Sequence, residues 1–264
     1  MMDLGIEDRV AVIGGASKGL GRACATRLAA EGANLVICAR NQTEIEEAAK
    51  DIHTITGREV HPVAADWSKG EDIERTINSA MDVCGRIDIL VHNTGGPAPG
   101  TFFDHSDDAW REAGNLLLYS AIRLYRGVVP HMKTAGWGRI INITSVTVKE
   151  PLENLVLSNV YRAGIVSLAK TISRELARYN ILINTVCPGY YLTQRMEEVL
   201  SNQAERAGKP LESVISGLSE DIPVGRMGDP AELANLVAFL ASDIASNITG
   251  ATIQADGGFL KSLM

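Results

Sequence analysis

The chain has 264 residues, 45% hydrophobic, 22% charged and 5% aromatic, with a net charge of −7; it is long enough to bury a large core and too ordinary in composition to be disordered or collagen-like. The acidic balance argues against partners that need a basic face, nucleic acid and anionic membrane surfaces among them. No apolar run reaches the ~18 residues of a transmembrane helix, and Met1–Val10 carries acids where a secretory signal has a basic-then-apolar pattern, so a soluble cytoplasmic protein is expected.

Short apolar runs alternate with longer amphipathic stretches along the whole chain. Val10–Ile13 reads as a strand and runs into a helical pattern with Leu20, Cys24 and Leu28 on one face. Leu35–Cys38 is followed by a helix over Glu44–Thr56, and Val60–Ala65 by a helix over Ile73–Val83. Ile87–Val91 precedes a long helix from about Asp107 to Met132; Ile140–Ile143 precedes another, from about Leu155 to Tyr179. Ile181–Val186, a polar helical stretch, a helix over Pro230–Ala241 and a last run at Ala251–Ala255 complete the series. The runs are continuous rather than alternating, which predicts strands buried on both faces. Strand–helix alternation of that kind predicts an α/β fold, a seven-stranded parallel sheet with helices on both sides. With no repeat, low-complexity tract or linker, residues 1–264 read as one domain, and the polar segment at about 190–228 as a lid over the site.

Cys24, Cys38, Cys84 and Cys187 form neither a C-x-x-C pair nor a zinc pattern, and the five histidines have no metal-ligand spacing. The cysteines read as small buried hydrophobes, and no metal is expected.

The first strand runs directly into Gly14-Gly-Ala-Ser-Lys-Gly-Leu-Gly21, and a helix begins at once. Gly15, Gly19 and Gly21 give the spacing G-x-x-x-G-x-G. A tight turn that brings main chain against a pyrophosphate needs residues without Cβ, and the helix N-terminus then offers free N–H groups to the phosphates. Between the first strand and first helix of an α/β chain this pattern predicts a dinucleotide site, with Gly15, Ser17, Lys18, Gly19, Leu20 and Gly21 as its loop. The second strand ends Cys38-Ala39-Arg40-Asn41. An acid there would bind a ribose 2′-hydroxyl, whereas Arg40, with Lys18 as a second cation, suits a 2′-phosphate. The cofactor expected is NADP(H), with NAD(H) as the alternative.

With these features in place the sequence resembles the short-chain dehydrogenase/reductase family over nearly its whole length. The glycine motif matches the family's T-G-x-x-x-G-x-G with Gly14 in place of the threonine, and His92-Asn-Thr-Gly95 stands where the family has N-N-A-G. Pro188-Gly-Tyr-Tyr-Leu-Thr193 matches P-G-x-x-x-T, and Ile222–Gly228 and Asp256-Gly-Gly258 match the C-terminal signature. The resemblance implies a Rossmann-type doubly wound fold of the 3-oxoacyl-carrier-protein-reductase-like branch. It implies cofactor contacts from Asp66, Trp67, Asn93, Gly95, Pro188, Gly189 and Thr193, catalytic places for Asn115 and Ser145, and self-association as a tetramer or dimer through the two long helices.

Counted from Ser145, the family's Tyr-x-x-x-Lys falls on Ser158 and Arg162. Reducing a ketone by hydride leaves an alkoxide that needs a proton. A phenol whose pKa of ~10 is lowered by a lysine can supply it near neutral pH; a serine hydroxyl cannot readily do so, and an arginine does not relay protons. Arg162 can still hold ribose hydroxyls, and Ser145 the substrate oxygen. Tyr161, Tyr190, Tyr191, Lys149 and His92 are the side chains weighed as substitutes for the acid. Two functions fit: an NADP(H)-dependent oxidoreductase acting on a small carbonyl or alcohol with an altered proton-donor site, or a dinucleotide-binding sensor or partner subunit without catalysis.

Overall fold

The computed structural model describes residues 3–262. Seven strands form one parallel sheet in the order β3-β2-β1-β4-β5-β6-β7: β1 (Val10–Gly14), β2 (Asn34–Ala39), β3 (Val60–Ala64), β4 (Ile89–His92), β5 (Gly138–Ile143), β6 (Ile181–Pro188) and β7 (Thr252–Ala255). The order reverses between β1 and β4, and at such a switch point the loops leaving neighbouring strands diverge and open a crevice at their C-terminal ends.

Successive strand residues point to opposite faces, and here both faces are apolar. Ala11, Ile13, Leu35, Ile37, Ile89 and Val91 enter one core, closed by α1 (Gly19–Ala30), α2 (Gln42–Thr56) and α9 (Pro230–Leu240). Val12, Val36, Cys38, Leu90 and Ile140 enter the other, closed by α3 (Gly70–Cys84), α5 (Ser120–Ala135) and α6 (Val156–Leu176). This two-sided demand is why the runs do not alternate. The edge strands are the exception: most of β3 and all of β7 are only half-buried. Each pairs on one side only, so the expectation of full burial holds for the five inner strands.

The sequence predicts one helix over Asp107–Met132, and the structure divides it. α4 (Asp107–Gly114) passes into a π-helical turn, Asn115–Tyr119, before α5 begins. The Ser120 N–H reaches back five residues to Asn115 O, and the Ser120 hydroxyl bonds Leu116 O and Leu117 O at 2.7 and 2.9 Å. A π turn of this kind inserts a residue without breaking the helix; Gly114, the last residue of α4, stands directly before it. Two further helices, α7 (Gln194–Ala207) and α8 (Leu211–Glu220), lie between β6 and α9. No helix among the described residues is long and apolar enough to cross a membrane.

Candidate active site

The crevice begins at the loop after β1. Gly15 and Gly19 adopt φ of 57° and 60°, and a Cβ on Gly21 would stand 2.2 Å from Gly15 O, so only glycine fits there. α1 then opens at Gly19 without a side-chain cap: Lys18, at the N-cap, makes no capping bond, and the first turn has no acid. α2, α7 and α9 are capped by Asn41, Thr193 and Asp229, whereas α3, α6 and α8 begin, like α1, without a side-chain cap; what sets α1 apart is the glycine turn in front of it. The first N–H groups of α1 are thus left for an anion, with the helix dipole adding to their pull. Asn93, after β4, steadies the loop: its Nδ2 donates to Gly14 O at 3.0 Å and packs over Gly15 and Gly21. Thr193 brings its methyl 3.6 Å from the Cβ position of Gly19.

Of the expected cofactor residues, Arg40 is exposed at the end of β2 with no ion pair among the described residues. Lys18 lies 3.9 Å from Glu44, which also accepts from Ser17 Oγ at 3.4 Å; part of its charge is already matched. Leu20 packs against the first core. The Asp66 carboxylate turns back to accept Ser68 N at 3.0 Å. Trp67 is buried, with its Nε1 donating to Thr76 Oγ1 at 3.3 Å and its ring stacked on His92 at 6.4 Å, so its side chain belongs to the core and only its main chain faces the crevice end of β3. Gly95 and Gly96 line the loop after β4, the Arg195 guanidinium lying against them. Gly189 follows β6 with its Cα face against Asp256.

The four residues expected to act at the reacting centre come from three elements. Asn115 starts the π turn and accepts from Arg123 Nη2 at 3.4 Å. Ser145 follows β5; its Oγ accepts Thr147 N at 3.2 Å, which leaves its own proton free to donate. Ser158 and Arg162 lie one turn apart on α6, each 8% exposed. The Ser158 hydroxyl makes no hydrogen bond to protein among the described residues. Arg162 Nη1 donates to Ile143 O at 3.2 Å and Thr144 O at 2.8 Å, which binds α6 to the end of β5. Burial, with the nearby Arg195 charge, lowers its guanidinium to about 10, still a cation at neutral pH.

The possible substitute acids are differently placed. Tyr161 donates to Trp110 O at 2.8 Å and lies along Gly114; it holds α6 to α4 and is not free. His92 is fully buried, its imidazole pushed down to about 3 by desolvation and then by the Arg162 charge, so at neutral pH it carries no acidic proton. Its Nε2 meets Ser120 Oγ at 3.0 Å, linking β4 to the first residue of α5, just past the π turn. Tyr191 is buried against Gly228 and its phenol is pushed up to about 12, by desolvation first. Tyr190, edge-on to Phe259, is also raised by burial. Lys149 is half-buried and joins no hydrogen bond or ion pair through its side chain among the described residues; the same is true of the hydroxyl of half-buried Tyr190. Arg195 was not among the candidates read from sequence; a cation two residues past Thr193, in the segment that follows β6, was the available signal.

A switch-point crevice with an uncapped helix behind a glycine turn defines a Rossmann-type nucleotide-binding protein. The chain belongs to the short-chain dehydrogenase/reductase family: residues 15–260 match the family profile described as enoyl-(acyl carrier protein) reductase. It is 34% identical over 255 residues to the putative ketoacyl reductase of the monensin polyketide synthase from Streptomyces virginiae, covering 95% of this chain and 96% of that protein. It is 32% identical over 257 residues to 3-oxoacyl-[acyl-carrier-protein] reductase from Aquifex aeolicus, at 97% and 99% coverage. Among solved structures, L-sorbose reductase from Gluconobacter frateurii, complexed with NADPH and L-sorbose, superposes with a TM-score of 0.97 at 34% identity, over 99% of this chain and 100% of that one.

Proposed function

We infer that this protein is an NADP(H)-dependent oxidoreductase that interconverts a carbonyl compound and its alcohol. The observation that carries this reading is the uncapped N-terminus of α1 behind Gly15–Gly21, with Arg40 unpaired at the end of β2. The cradle fits a pyrophosphate on its N–H groups and a 2′-phosphate on Arg40. The relatives' names agree, one being solved as an NADPH complex.

When bound, the nicotinamide ring supplies or takes up a hydride. Asn93, Gly95, Pro188, Gly189 and Thr193 border the crevice at the ends of β4 and β6, where they can hold its ring end. Asp66 closes the adenine side. The Arg162 guanidinium, anchored on the Ile143 and Thr144 carbonyls, presents its remaining N–H groups toward ribose hydroxyls and substrate. Ser145 polarises the substrate oxygen with its free O–H, and Ser158 offers a second hydroxyl. Asn115 and the π turn close the wall opposite.

Ser158 and Arg162 stand, on this reading, where the family's tyrosine and lysine belong. Hydride transfer then proceeds without a phenol donor, at a cost of about 10²–10⁴ in rate relative to a site that has one. Residues 190–228 serve as the lid; their apolar side chains form a small cluster of their own around Leu200, Ile222 and Met227. The helices at Asp107–Met132 and Leu155–Tyr179 carry self-association as a dimer or tetramer, a role supported by the exposed Tyr119 and Val160 on them. The cytoplasm is the compartment proposed, in keeping with four free cysteines.

The test is NADPH binding, read by thermal shift and by nicotinamide fluorescence, followed by NADPH oxidation with ketones, aldehydes and acyl thioesters. Tight binding with turnover of at least one class is the expected result. Binding without turnover of any class moves the chain to the non-catalytic reading, and no binding at all ends both.

A further inference from the structure

We propose that His92 and Ser120 are positioning residues: as a pair they hold the π turn that sets the direction of Asn115. This rests on the oxidoreductase reading above, which puts Asn115 in the wall of the pocket. In an α-helix the Ser120 N–H would bond Leu116 O, four residues back. Here it bonds Asn115 O, and the Ser120 hydroxyl meets Leu116 O at 2.7 Å and Leu117 O at 2.9 Å. One inserted residue rotates what precedes it by about 100° relative to the helix that follows. The direction in which Asn115 faces therefore depends on whether this turn is π or α.

Ser120 Oγ carries one proton, and both carbonyls it meets are acceptors. Its third contact, His92 Nε2 at 3.0 Å, must then be the donor. That fixes the imidazole with its proton on Nε2 and leaves Nδ1 bare, and Nδ1 has no hydrogen-bond partner among the described residues. The ring is also held from its face, stacked on Trp67 with 7° between the planes. The end of β4 thus grips the turn through one oriented, neutral donor.

The setting argues that this grip serves more than cohesion. His92 and Ser120 are 1% and 0% exposed, and Leu117, Ala121 and Leu124 of the same segment enter the apolar core. Two apolar side chains would pack α5 on β4 without desolvating two polar groups or orphaning a nitrogen. What the hydrogen bond adds is a single allowed arrangement. A second bond of the same kind lies further along α5: Tyr125 OH donates to Asn142 Oδ1 at 2.5 Å, and Asn142 is the register partner of His92 on β5. Asn115 itself has only a long contact, from Arg123 Nη2 at 3.4 Å, and its amide hydrogens have no acceptor among the described residues. Its aim comes from the main chain of the turn.

The experiment measures NADPH affinity and steady-state turnover on the carbonyl compound that the wild-type protein reduces best. The variants are Ser120→Ala, His92→Leu, His92→Gln and Asn115→Ala, with the first two also combined with Asn115→Ala. Ser120→Ala and His92→Leu are each expected to lower kcat by about 10- to 100-fold, the cost of a small misplacement at the reacting centre. KM and NADPH affinity should stay close to wild type, which also reports an intact fold. His92→Gln, which keeps an N–H donor, should retain most of the rate. Once Asn115 is alanine, neither change should lower kcat further, because the group they aim is gone. Losses that multiply in that background overturn the proposal, and so does NADPH affinity falling in step with kcat, since the pair would then merely hold the fold. Unchanged rates in Ser120→Ala and His92→Leu, or in Asn115→Ala, overturn it as well. All these outcomes leave the oxidoreductase reading standing; absence of turnover in the wild-type protein ends that reading and this proposal with it.

Discussion

The ring of Trp67 fills the space where a side chain on Gly14 would stand: its Cζ3 lies 2.1 Å from the Cβ position, and Asn93 O is 2.5 Å away. Gly14 takes the place of a threonine in the glycine motif this chain resembles, so the missing side chain and the large indole are two halves of one packing solution. Gly14→Ala is expected to destabilise the fold by about 1–3 kcal/mol through overpacking. Combined with Trp67→Leu, the loss should fall short of the sum of the single losses, because the two groups compete for one volume. Urea unfolding of the four proteins measures the coupling; strict additivity would contradict the geometry.

Ser158→Tyr with Arg162→Lys should restore a phenol and an ammonium one helical turn apart on α6, beside Ser145. Ketone reduction by NADPH is expected to rise about 10²–10⁴-fold, with either single change giving much less. The readout is single-turnover oxidation of NADPH on a simple ketone. An unchanged rate in the double variant would show that the remaining wall of the pocket no longer positions a carbonyl.

Arg40→Ala should weaken NADPH by about 10- to 100-fold, the value of a charge-assisted bond to phosphate, and leave NADH nearly untouched. Lys18→Ala should cost less, because Glu44 already draws on that charge. Fluorescence titration with both nucleotides separates the two effects, and equal losses for NADPH and NADH would remove Arg40 from the 2′-phosphate.

Tyr161→Phe breaks the bond to Trp110 O and is expected to cost about 1 kcal/mol of stability with the pH profile of turnover unchanged. A large fall in kcat, with altered pH dependence, would reinstate that phenol as the acid.

Buried His92 makes stability depend on acidity. Its folded pKa, about 3, lies below the unfolded value of 6.5, so between those limits the unfolded chain binds one proton more than the folded one. The penalty is absent above pH 6.5 and grows as the pH falls, by up to about 1.4 kcal/mol per unit. Unfolding free energies between pH 7 and 5 should therefore show a shallower slope in His92→Asn, in which that proton is missing. Identical slopes would mean that His92 titrates alike in both states.

The doubly wound sheet, its strand count and the glycine loop were legible because each follows from local pattern. Strands buried on two faces must be continuously apolar, and a loop that admits main chain against main chain, as at Gly21 and Gly15, must be glycine. The place of Arg40, exposed just past the end of β2, was legible for the same reason, as the residue following a strand of known order. The π turn at Asn115 was not: Gly114 before it weakens the helix, but the inserted residue shows only in Ser120 N–H reaching Asn115 O and the Ser120 hydroxyl back-bonding to Leu116 and Leu117, contacts a sequence does not report. Trp67 was expected at the cofactor and lies in the core, since its position after β3 fixes the main chain but not the direction of the ring. Tyr161 and Arg195 depended on tertiary contacts with Trp110 and Gly96, and sequence spacing does not report those.

Between Tyr190 and Gly228 the chain leaves the sheet and returns to nearly the same point. Tyr190 O accepts Gly228 N, and Gly228 O accepts Leu192 N, each at 2.9 Å, so the excursion is stitched shut at its neck. Met196, Leu200, Val214 and Leu218 pack on one another and on Ile222 rather than on the two main cores. A loop closed at its base, with its own apolar interior, is a replaceable cassette. Exchanging it for the equivalent stretch of another family member should change which compounds enter the crevice while the sheet folds as before, so that specificity can be inherited, or engineered, separately from cofactor binding.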